Sequence, residues 1–364
     1  MNSTADDARF MRACLRYARR HEALTGTNPS VGALIVRNGM IVGRGVTARG
    51  GRPHAEPIAL AEAGEAARGA TAYVTLEPCA HHGVTPPCAE TLIAAKVARV
   101  VTAYVDPDGR VDGRGHAMLR EAGIEVDAGL ESGRAARDLS GYLARKVKQR
   151  PHVALKLALS SDGYLGREGE EVAITGPASR VQVHALRTRH DAIMVGIGTV
   201  RSDDPDLTCR LPGLENRSPH RFVLDGAATL DARSRLAATA RDVPVTVVTT
   251  MAELPSELQR QGVGHLRAER NGGELALPEM LNDMADRGHS SLMVEGGAAV
   301  ARSFLYNDLV DRLVLFRSPN PLGNGIASPV RPDDVPGDFD RIDERRYGDD
   351  ICFTYERRRC SPAS

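Results

Sequence analysis

The sequence predicts two α/β domains, each built on a sheet with helices packed on its faces. Its length of 364 residues suits two domains of ordinary size. Short β-branched runs alternate with segments of helical period throughout the chain, a pattern typical of layered α/β folds. A basic amphipathic segment over 133–150 runs into Pro151, which cannot continue a helix. We therefore predict domains over residues 1–150 and 151–364.

The first half opens with a helix and a hairpin. Asp6 and Asp7 lie at the start of a helix predicted over 6–21, where the helix dipole favours negative charge. Asn38 and Gly39 separate two apolar runs, which indicates a tight hairpin turn. Strands and helices then alternate. The segments predicted in this half are strands 31–36, 41–46, 71–76, 99–105 and 124–129, and helices 55–66, 88–96 and 115–122.

The second half restarts with a strand over 152–160 and a turn at Asp162-Gly163. Its Pro- and Asp-rich stretch 328–340 is interpreted as a surface loop. The other segments predicted here are helices 177–188, 278–287 and 298–306, and strands 192–196, 222–225, 245–249, 291–295, 312–316 and 351–356.

Composition excludes several classes of protein. Lys+Arg and Asp+Glu are both 47, so the chain is not built to coat nucleic acid or an anionic membrane. Residues 1–150 hold 21 basic and 16 acidic side chains, a mild excess that suits an anionic small molecule. Trp is absent, so stacking platforms for single strands are not expected. No apolar run reaches eighteen residues and cysteines are few, which favours a cytoplasmic protein without disulfides.

Three short motifs point to a zinc site. His54 is followed two residues later by Glu56 at a predicted helix start, and two Pro-Cys pairs follow, ending in Cys79 and Cys88. Imidazole and thiolates are ligands that zinc prefers, and a catalytic zinc commonly takes three of them plus a water. A carboxylate beside that water can carry protons without binding the metal. We therefore predict zinc on His54, Cys79 and Cys88, with Glu56 as the catalytic acid and base.

The order of these motifs is typical of zinc-dependent nucleobase deaminases. The spacing departs from that pattern, because eight residues separate the two cysteines here instead of two. A closed structural zinc site is the alternative, and it would need a fourth ligand. His81 or His82, in the intervening segment, could supply one.

Longer strings carry a family resemblance. The segments NPSVGALIV (28–36), HAE (54–56) and EPCAHHGVTPPC (77–88) closely resemble the bifunctional deaminase/reductase family of riboflavin biosynthesis, in which the longer cysteine spacing is normal. The resemblance implies a cytidine-deaminase-like, three-layer α/β/α domain. It also implies hydrolytic deamination of 2,5-diamino-6-(5-phosphoribosylamino)pyrimidin-4-one, a small-molecule substrate that Asn28 would contact.

The second half resembles the reductase half of the same family. It lacks the usual GxGxxG fingerprint, but Glu295-Gly296-Gly297-Ala298 separates a predicted strand from a helix, where a phosphate could approach the backbone. The strings LKLALSSDG (155–163), ITGPASR (174–180), LRTRHDAIMVGIGTV (186–200), DDPDLTCR (203–210) and VEGGAAVARSFL (294–305) follow the family in order. This resemblance implies a dihydrofolate-reductase-like domain that uses NADPH to reduce the ribosyl group to ribityl.

The resemblance also assigns residues in this half. Those expected to hold the substrate are Arg187, Leu207, Arg210 and Glu295. Lys156 is added to them because it lies on the first strand, near the expected region of hydride transfer. Those expected to hold NADPH are Ala158, Thr199, Asp203, Gly297, Ala298, Ala299, Val300, Ala301, Arg302 and Ser303. Arginine suits phosphate, since it makes bidentate, charge-assisted hydrogen bonds. Lys156 is expected to help polarise the sugar.

Three positions depart from the family pattern. Glu171 and Ala173 stand where the family usually has Ser and Trp, and Gly226 follows Asp225 where Ser is more usual. The first two changes make weaker reductase binding an open alternative, and the second half could serve another reaction. Two further hypotheses remain at this stage: a nucleic-acid deaminase with an appended binding domain, and a non-catalytic zinc-stabilised binding protein. Self-association is plausible from the resemblance alone.

Overall fold

A computed structural model describes residues 4–83, 85–170, 172–271 and 274–358. The chain divides into two compact units, Met1–Arg150 and Pro151–Ser364. Each unit has its own apolar core between a sheet and its helices. In the described part of the chain, no helix combines the length and the apolar character needed to cross a bilayer.

The first unit is built on a five-stranded sheet in the order β2-β1-β3-β4-β5. Strand β1 pairs antiparallel with both neighbours, and β3, β4 and β5 run parallel. The elements are α1 (Thr4–Ala18), β1 (Gly32–Arg37), β2 (Met40–Val46), α2 (Ala55–Ala63), β3 (Thr71–Val74), α3 (Cys88–Ala94), β4 (Arg99–Thr102), α4 (Arg114–Glu121), β5 (Glu125–Ala128), α5 (Ser132–Asp138) and α6 (Ser140–Lys148). The carboxyl ends of β3 and β4 therefore lie side by side at one edge.

The hairpin and the helix after it follow from glycine placement. Asn38 and Gly39 both take positive φ, of 52° and 74°, as a two-residue turn of this kind requires. Gly43 and Gly45 of β2 face α2 so closely that an added Cβ would lie 2.1 Å from the Ala59 carbonyl oxygen and 1.9 Å from that of Ala55. Side chains are excluded there, so the helix backbone rests directly on the strand.

The second unit is built on a nine-stranded sheet in the order β10-β9-β8-β7-β13-β6-β14-β16-β15. Seven strands run parallel, and a C-terminal antiparallel hairpin completes one side. The elements are β6 (His152–Leu159), α7 (Pro177–Arg187), β7 (Ala192–Gly196), α8 (Ile197–Asp203), β8 (His220–Leu224), α9 (Arg235–Ala238), β9 (Val245–Thr249), α10 (Ser256–Gln261), β10 (Gly264–Arg267), β11 (Arg270–Asn271), β12 (Glu274–Leu275), α11 (Leu277–Asp286), β13 (Ser291–Val294), α12 (Ala298–Tyr306), β14 (Arg312–Arg317), β15 (Phe339–Tyr347) and β16 (Asp350–Arg357).

The strands and helices predicted from the sequence are present, with ends shifted by a few residues. The basic segment 133–150 forms two helices, α5 and α6, which meet at Leu139. Strand β15 was not predicted. Its sequence is dominated by charge and most of it is exposed at the edge of the sheet, so the alternation that marks a strand is missing.

Candidate functional sites

His54, Cys79 and Cys88 converge in the first unit. Their ligand atoms all lie within 4.8 Å of one another. His54 Nδ1 is 3.7 Å from Cys79 Sγ and 3.4 Å from Cys88 Sγ. Local structure sets this arrangement, because His54 immediately precedes α2, Cys79 lies beyond the end of β3, and Cys88 begins α3. The prediction that these three residues form one group of potential metal ligands is confirmed.

This donor set fits zinc. Tetrahedral zinc with Zn–S near 2.3 Å and Zn–N near 2.0 Å places its N and S ligands about 3.5 Å apart, as observed here. Hydrogen bonding from Cys88 and the nearby His54 lower the pKa of Cys79 despite its burial, whereas the same hydrogen bond raises the pKa of Cys88. Cys79 therefore favours the thiolate form, which is the form that binds a metal. Within the described residues, this is the one group of three or more such ligands.

The two histidines of the intervening segment do not complete the ligand set. His82 Nε2 instead lies 2.9 Å from Glu90 Oε1 on the exposed side of α3. His81 lines the cavity next to the three ligands without joining their group. Three protein ligands leave a coordination position for water, as in catalytic zinc sites.

Glu56 lies in the first turn of α2 and lines the same cavity. Only 4% of its surface is exposed. Burial and the nearby Cys79 thiolate raise the pKa of Glu56 to about 7. A carboxyl group that titrates near neutral pH can both accept and donate a proton, which is the property of a general acid and base.

The cavity beside these residues has a volume of about 240 Å³. Asn28 lines it, as predicted for a substrate contact. The backbone at Gly51, with φ of 91°, makes room for this side chain, since an added Cβ would lie 2.2 Å from Asn28 Nδ2. The contact itself stays a prediction.

Several charged residues of this cavity were missed by the sequence reasoning. The residues are Arg52, Glu77, Asp106, Asp108, Arg110, Arg145 and Lys146. Asp108 accepts hydrogen bonds from Arg110 Nη2 and Lys146 Nζ, both at 2.7 Å. The position of Asp106 and Asp108 after β4 was a usable signal, because ligands of parallel sheets bind beyond the carboxyl ends of strands.

A second cavity, of about 560 Å³, lies in the second unit at the carboxyl ends of β6 and β13. Its floor holds a buried ion cluster. Arg187 Nε and Nη2 donate to the two Glu295 carboxylate oxygens at 2.8 and 3.1 Å, and Lys156 Nζ lies 3.5 Å from Glu295 Oε2. Burial alone would raise the pKa of Glu295, but these two cations outweigh it and lower the pKa to about 2.

The beginning of α12 forms one side of this cavity. Gly296 leaves space that Val300 fills, since an added Cβ would lie 2.7 Å from Val300 Cβ. Gly297 precedes the helix and faces Thr199 Oγ1, 3.4 Å from where its Cβ would be. Backbone N–H groups at a helix start bind anions. Gly296 and Gly297, here called the glycine cradle, line the cavity next to this helix start.

The predicted residues of this half fall into two groups. Those that line the cavity are Lys156, Ala158, Arg187, Thr199, Asp203, Leu207, Glu295 and Gly297. Those that are not among its lining residues are Arg210, Ala298, Ala299, Val300, Ala301, Arg302 and Ser303. The side chain of Arg210 is 58% exposed and pairs with Asp206, and Ala301 is packed in the core. The binding roles of both groups stay predictions.

Two of the three unusual positions can be described. Ala173 lines the cavity between Val172 and Ile174, so a small side chain faces the space that the family usually fills with Trp. Asp225 accepts hydrogen bonds from Thr229 N and Leu230 N and so shapes the turn after β8, next to Gly226. Glu171 lies outside the described residues. The sequence reasoning also missed Arg180, which lines this cavity from the first turn of α7.

Comparison with known proteins places both units. The family model of the RibD C-terminal domain matches residues 151–353, more than half of the chain. The chain belongs to the RibD family. A second model, the cytidine and deoxycytidylate deaminase zinc-binding region, matches residues 4–104. The fold prediction is confirmed: a cytidine-deaminase-like domain is followed by a RibD reductase domain.

Relatives resemble the chain over most of its length. The RibD protein of Aquifex aeolicus is 38% identical over 88% of this chain and 89% of its own. That of Escherichia coli K12 is 39% identical over 87% of this chain and 89% of its own. RibD membership favours the riboflavin enzyme over both the nucleic-acid deaminase and the non-catalytic zinc protein.

Two solved structures share the fold. Acinetobacter baumannii RibD, form 1, is 33% identical with a TM-score of 0.85, and covers 98% of this chain and all of its own. The Thermotoga maritima protein described as a diaminohydroxyphosphoribosylaminopyrimidine deaminase/5-amino-6-(5-phosphoribosylamino)uracil reductase is 30% identical with a TM-score of 0.86 over the same shares.

Proposed function

We propose that this chain is the bifunctional deaminase/reductase of riboflavin biosynthesis, with the deaminase in residues 1–150 and the reductase in 151–364. The observation that carries the proposal is the group of His54, Cys79 and Cys88 beside the buried Glu56, in a chain of the RibD family. Its cofactors are zinc and NADPH, and its substrate is a phosphoribosylaminopyrimidine.

In the first reaction, water replaces the exocyclic 2-amino group of 2,5-diamino-6-(5-phosphoribosylamino)pyrimidin-4-one and ammonia leaves. Zinc held by His54, Cys79 and Cys88 would supply the Lewis acidity that makes a water molecule more acidic. Glu56 takes one proton from that water and passes it to the ring nitrogen as the hydroxyl group adds to the ring carbon. It then takes the second proton from this new hydroxyl group and delivers it to the departing amine, so that ammonia leaves and the carbonyl forms. A buried carboxyl group that accepts a proton and gives it up again meets the requirement for a general acid and base. Asn28 holds the nucleotide in this cavity.

In the second reaction, the ribosyl group is reduced to ribityl. NADPH supplies the hydride when it is bound at the glycine cradle beside α12. Lys156, which lines this cavity beside Glu295, polarises the sugar carbon–oxygen or carbon–nitrogen double bond, and the proton that balances the hydride comes from solvent water. Glu295 accepts from ribose hydroxyls while Arg187 keeps it ionised. Because three donors of Arg187 already bind Glu295 and the Thr208 carbonyl, its contact with the substrate phosphate needs a further hydrogen bond or a rearrangement.

The test follows both reactions in one cuvette with purified protein and the diaminopyrimidine nucleotide. Ammonia release followed by stoichiometric loss of NADPH absorbance is the expected result. Ammonia without NADPH consumption would reject the reductase assignment and leave the deaminase in place. No ammonia from zinc-loaded protein would reject the deaminase.

One observation favours a second candidate, a deaminase with an impaired or repurposed reductase half. Ala173 gives the second cavity a small side chain where an aromatic one is usual in the family. Replacing Ala173 by Trp distinguishes the two. A strong fall in the Kd for NADPH together with a large gain in turnover would favour the impaired enzyme.

Three predictions complete the proposal. A cytoplasmic location is supported by the described cysteines, which are all free thiols. Self-association is predicted and is tested by light scattering of the purified protein. The division of activities at Arg150/Pro151 is supported by the two compact units, and separate expression of each unit tests it.

A further inference from the structure

We infer that Glu77 is a positioning residue that fixes one wall of the deaminase cavity. The inference rests on the proposed deamination. Glu77 is only 3% exposed. Its Oε2 accepts from Asp106 N at 3.3 Å and Gly113 N at 3.0 Å, and its Oε1 accepts from Gly115 N at 3.0 Å and His116 N at 3.3 Å. Four backbone N–H groups therefore converge on one buried carboxylate.

These amides lie on a loop and on the helix that follows it. The loop, here called the wall loop, is residues 105–113, the larger part of the connection between β4 and α4. Glu77 binds the amide of Asp106 near the start of the wall loop and that of Gly113 at its end, so one side chain holds both ends. The other two amides belong to the first turn of α4, whose dipole also favours a carboxylate.

The wall loop forms part of the substrate cavity. Asp106, Asp108, Arg110 and Val111 all line it. The loop also engages α6 across the cavity, since Asp106 accepts from Tyr142 Oη at 2.8 Å and Asp108 binds Lys146. A shift of the loop would therefore displace several cavity side chains together.

Glu77 acts through this loop and not on the reacting atoms, because both its oxygens are already occupied by amides. It is also joined to the ligand segment, since Cys79 lies two residues further on. Gly115 reinforces the junction: an added Cβ would lie 2.0 Å from the Pro78 carbonyl oxygen. The wall loop and the segment that carries a metal ligand are thus fixed to each other by one carboxylate.

The decisive variant is Glu77→Gln. Glutamine keeps one acceptor oxygen, but its NH₂ group would face two backbone donors, so one pair of amides loses its partner. Loss of buried hydrogen bonds to a charged group is expected to raise KM for the pyrimidine nucleotide about tenfold. We expect kcat to change by less than about threefold, since the reacting groups are untouched. Zinc content and reductase activity should equal those of the wild type.

Two further variants keep the test informative. Asp7→Asn removes another buried carboxylate of the same unit, one that binds Tyr73 and Arg99 and does not line the cavity. It should lower stability and leave KM unchanged. Glu77→Asp keeps the charge on a side chain one methylene shorter, and it should raise KM by a smaller factor than Glu77→Gln. It serves as the test if Glu77→Gln does not fold.

An unchanged KM in folded, zinc-loaded Glu77 variants would overturn the inference. So would loss of zinc and of kcat with KM unchanged, because Glu77 would then serve the ligand segment alone. A wild-type protein that releases no ammonia would reject the proposed function itself, and the two failures are therefore distinguishable.

Discussion

At the scale of single residues, the two cavities use buried carboxylates in opposite ways. Burial and the neighbouring Cys79 thiolate raise the pKa of Glu56 to about 7, and together they outweigh the opposite effect of His54. Burial alone would also raise the pKa of Glu295, but Arg187 and Lys156 lower it to about 2. The first carboxyl group is suited to carrying protons, and the second to remaining a fixed negative charge.

Replacing Glu56 by Gln tests the first role. The variant should lose deamination by about 10²- to 10⁴-fold, the usual contribution of a general acid or base. Zinc should remain bound, because His54, Cys79 and Cys88 are unchanged. Ammonia release and zinc content measure the two effects, and NADPH-dependent reduction of the deaminated product is the internal control. Activity close to that of the wild type would remove Glu56 from the mechanism.

Replacing Glu295 by Gln tests the second role, that of a fixed negative charge. Breaking a buried ion pair leaves Arg187 without its counter-charge, and we expect the second unit to lose about 3–5 kcal/mol of unfolding free energy and its reductase activity. Asp343→Asn is the matched control, since Asp343 pairs with Arg345 on the exposed surface. Urea unfolding measures the free energy of unfolding of both variants, and NADPH consumption measures their reductase activity. Equal effects of the two substitutions would contradict the assignment.

The sequence predicted the reacting residues better than the cavity walls. His54, Cys79 and Cys88 were found because zinc restricts both residue type and order. Arg52 and Lys146 were missed, because such surface-like cations are common in any sequence and only the fold brings them to one cavity. Arg210 shows the reverse: its motif matched the family, yet its side chain pairs with Asp206 outside the cavity lining.

At the scale of elements, α2 is the part of the deaminase that tolerates least change. The helix carries Glu56 and begins next to His54, and its backbone rests on Gly43 and Gly45 of β2. Any side chain at those glycines would push the helix outward. The positions of a metal ligand and of the proton carrier therefore depend on two residues that contribute no chemistry.

Gly45→Ala is accordingly predicted to impair the site from a distance. The added methyl would lie 1.9 Å from the Ala55 carbonyl oxygen, so the helix must shift. We expect about 1–3 kcal/mol of destabilisation from overpacking and weaker zinc binding. A competition titration with a chelator measures the zinc affinity. Gly133→Ala is the control, because an added Cβ there would lie 4.0 Å from its nearest neighbour, Arg137 Nη1, and would meet no clash. Unchanged zinc affinity in Gly45→Ala would refute this dependence.

Elements were predictable where burial imposes a period. Strand β7 is buried along its whole length and its bounds were predicted at 192–196, as observed. Helix α8 and strand β10 were not predicted. Helix α8 has only seven residues and strand β10 only four, which is too short for a clear hydrophobic period. Short elements take their structure from tertiary neighbours more than from their own sequence.

At the scale of the whole molecule, buried histidines make the second unit sensitive to acid. Burial lowers the pKa of His190 to about 3 and those of His220 and His289 to about 4, all below the unfolded value near 6.5. Between these folded values and pH 6.5, the histidines of the unfolded chain bind more protons than those of the folded chain. The histidine contribution to stability is therefore complete above pH 6.5 and is lost as the pH falls toward 4.

Urea unfolding at pH 7.5 and pH 5.0 tests this prediction. Each histidine should cost about 1.4 kcal/mol per pH unit inside that window. The double variant His220→Gln/His289→Gln should show a flatter dependence. Glu295 and Glu356, whose pKa values are held at about 2 by nearby cations despite burial, add acid sensitivity only below about pH 4.5. An identical slope for the wild type and the double variant would argue against the histidines.

The nine-stranded sheet ends in β15, a long strand with most of its length exposed. An open strand edge of this kind presents unpaired N–H and C=O groups to any other extended chain, and it is a common starting point for aggregation. Here six of its nine residues are Asp, Glu or Arg, with both signs present. Charged side chains on an edge strand disfavour pairing with an apolar strand of another chain. The charges that interrupt the apolar–polar alternation of this strand therefore also protect it against aggregation. Neutral replacements made for better crystals or purification would weaken that protection.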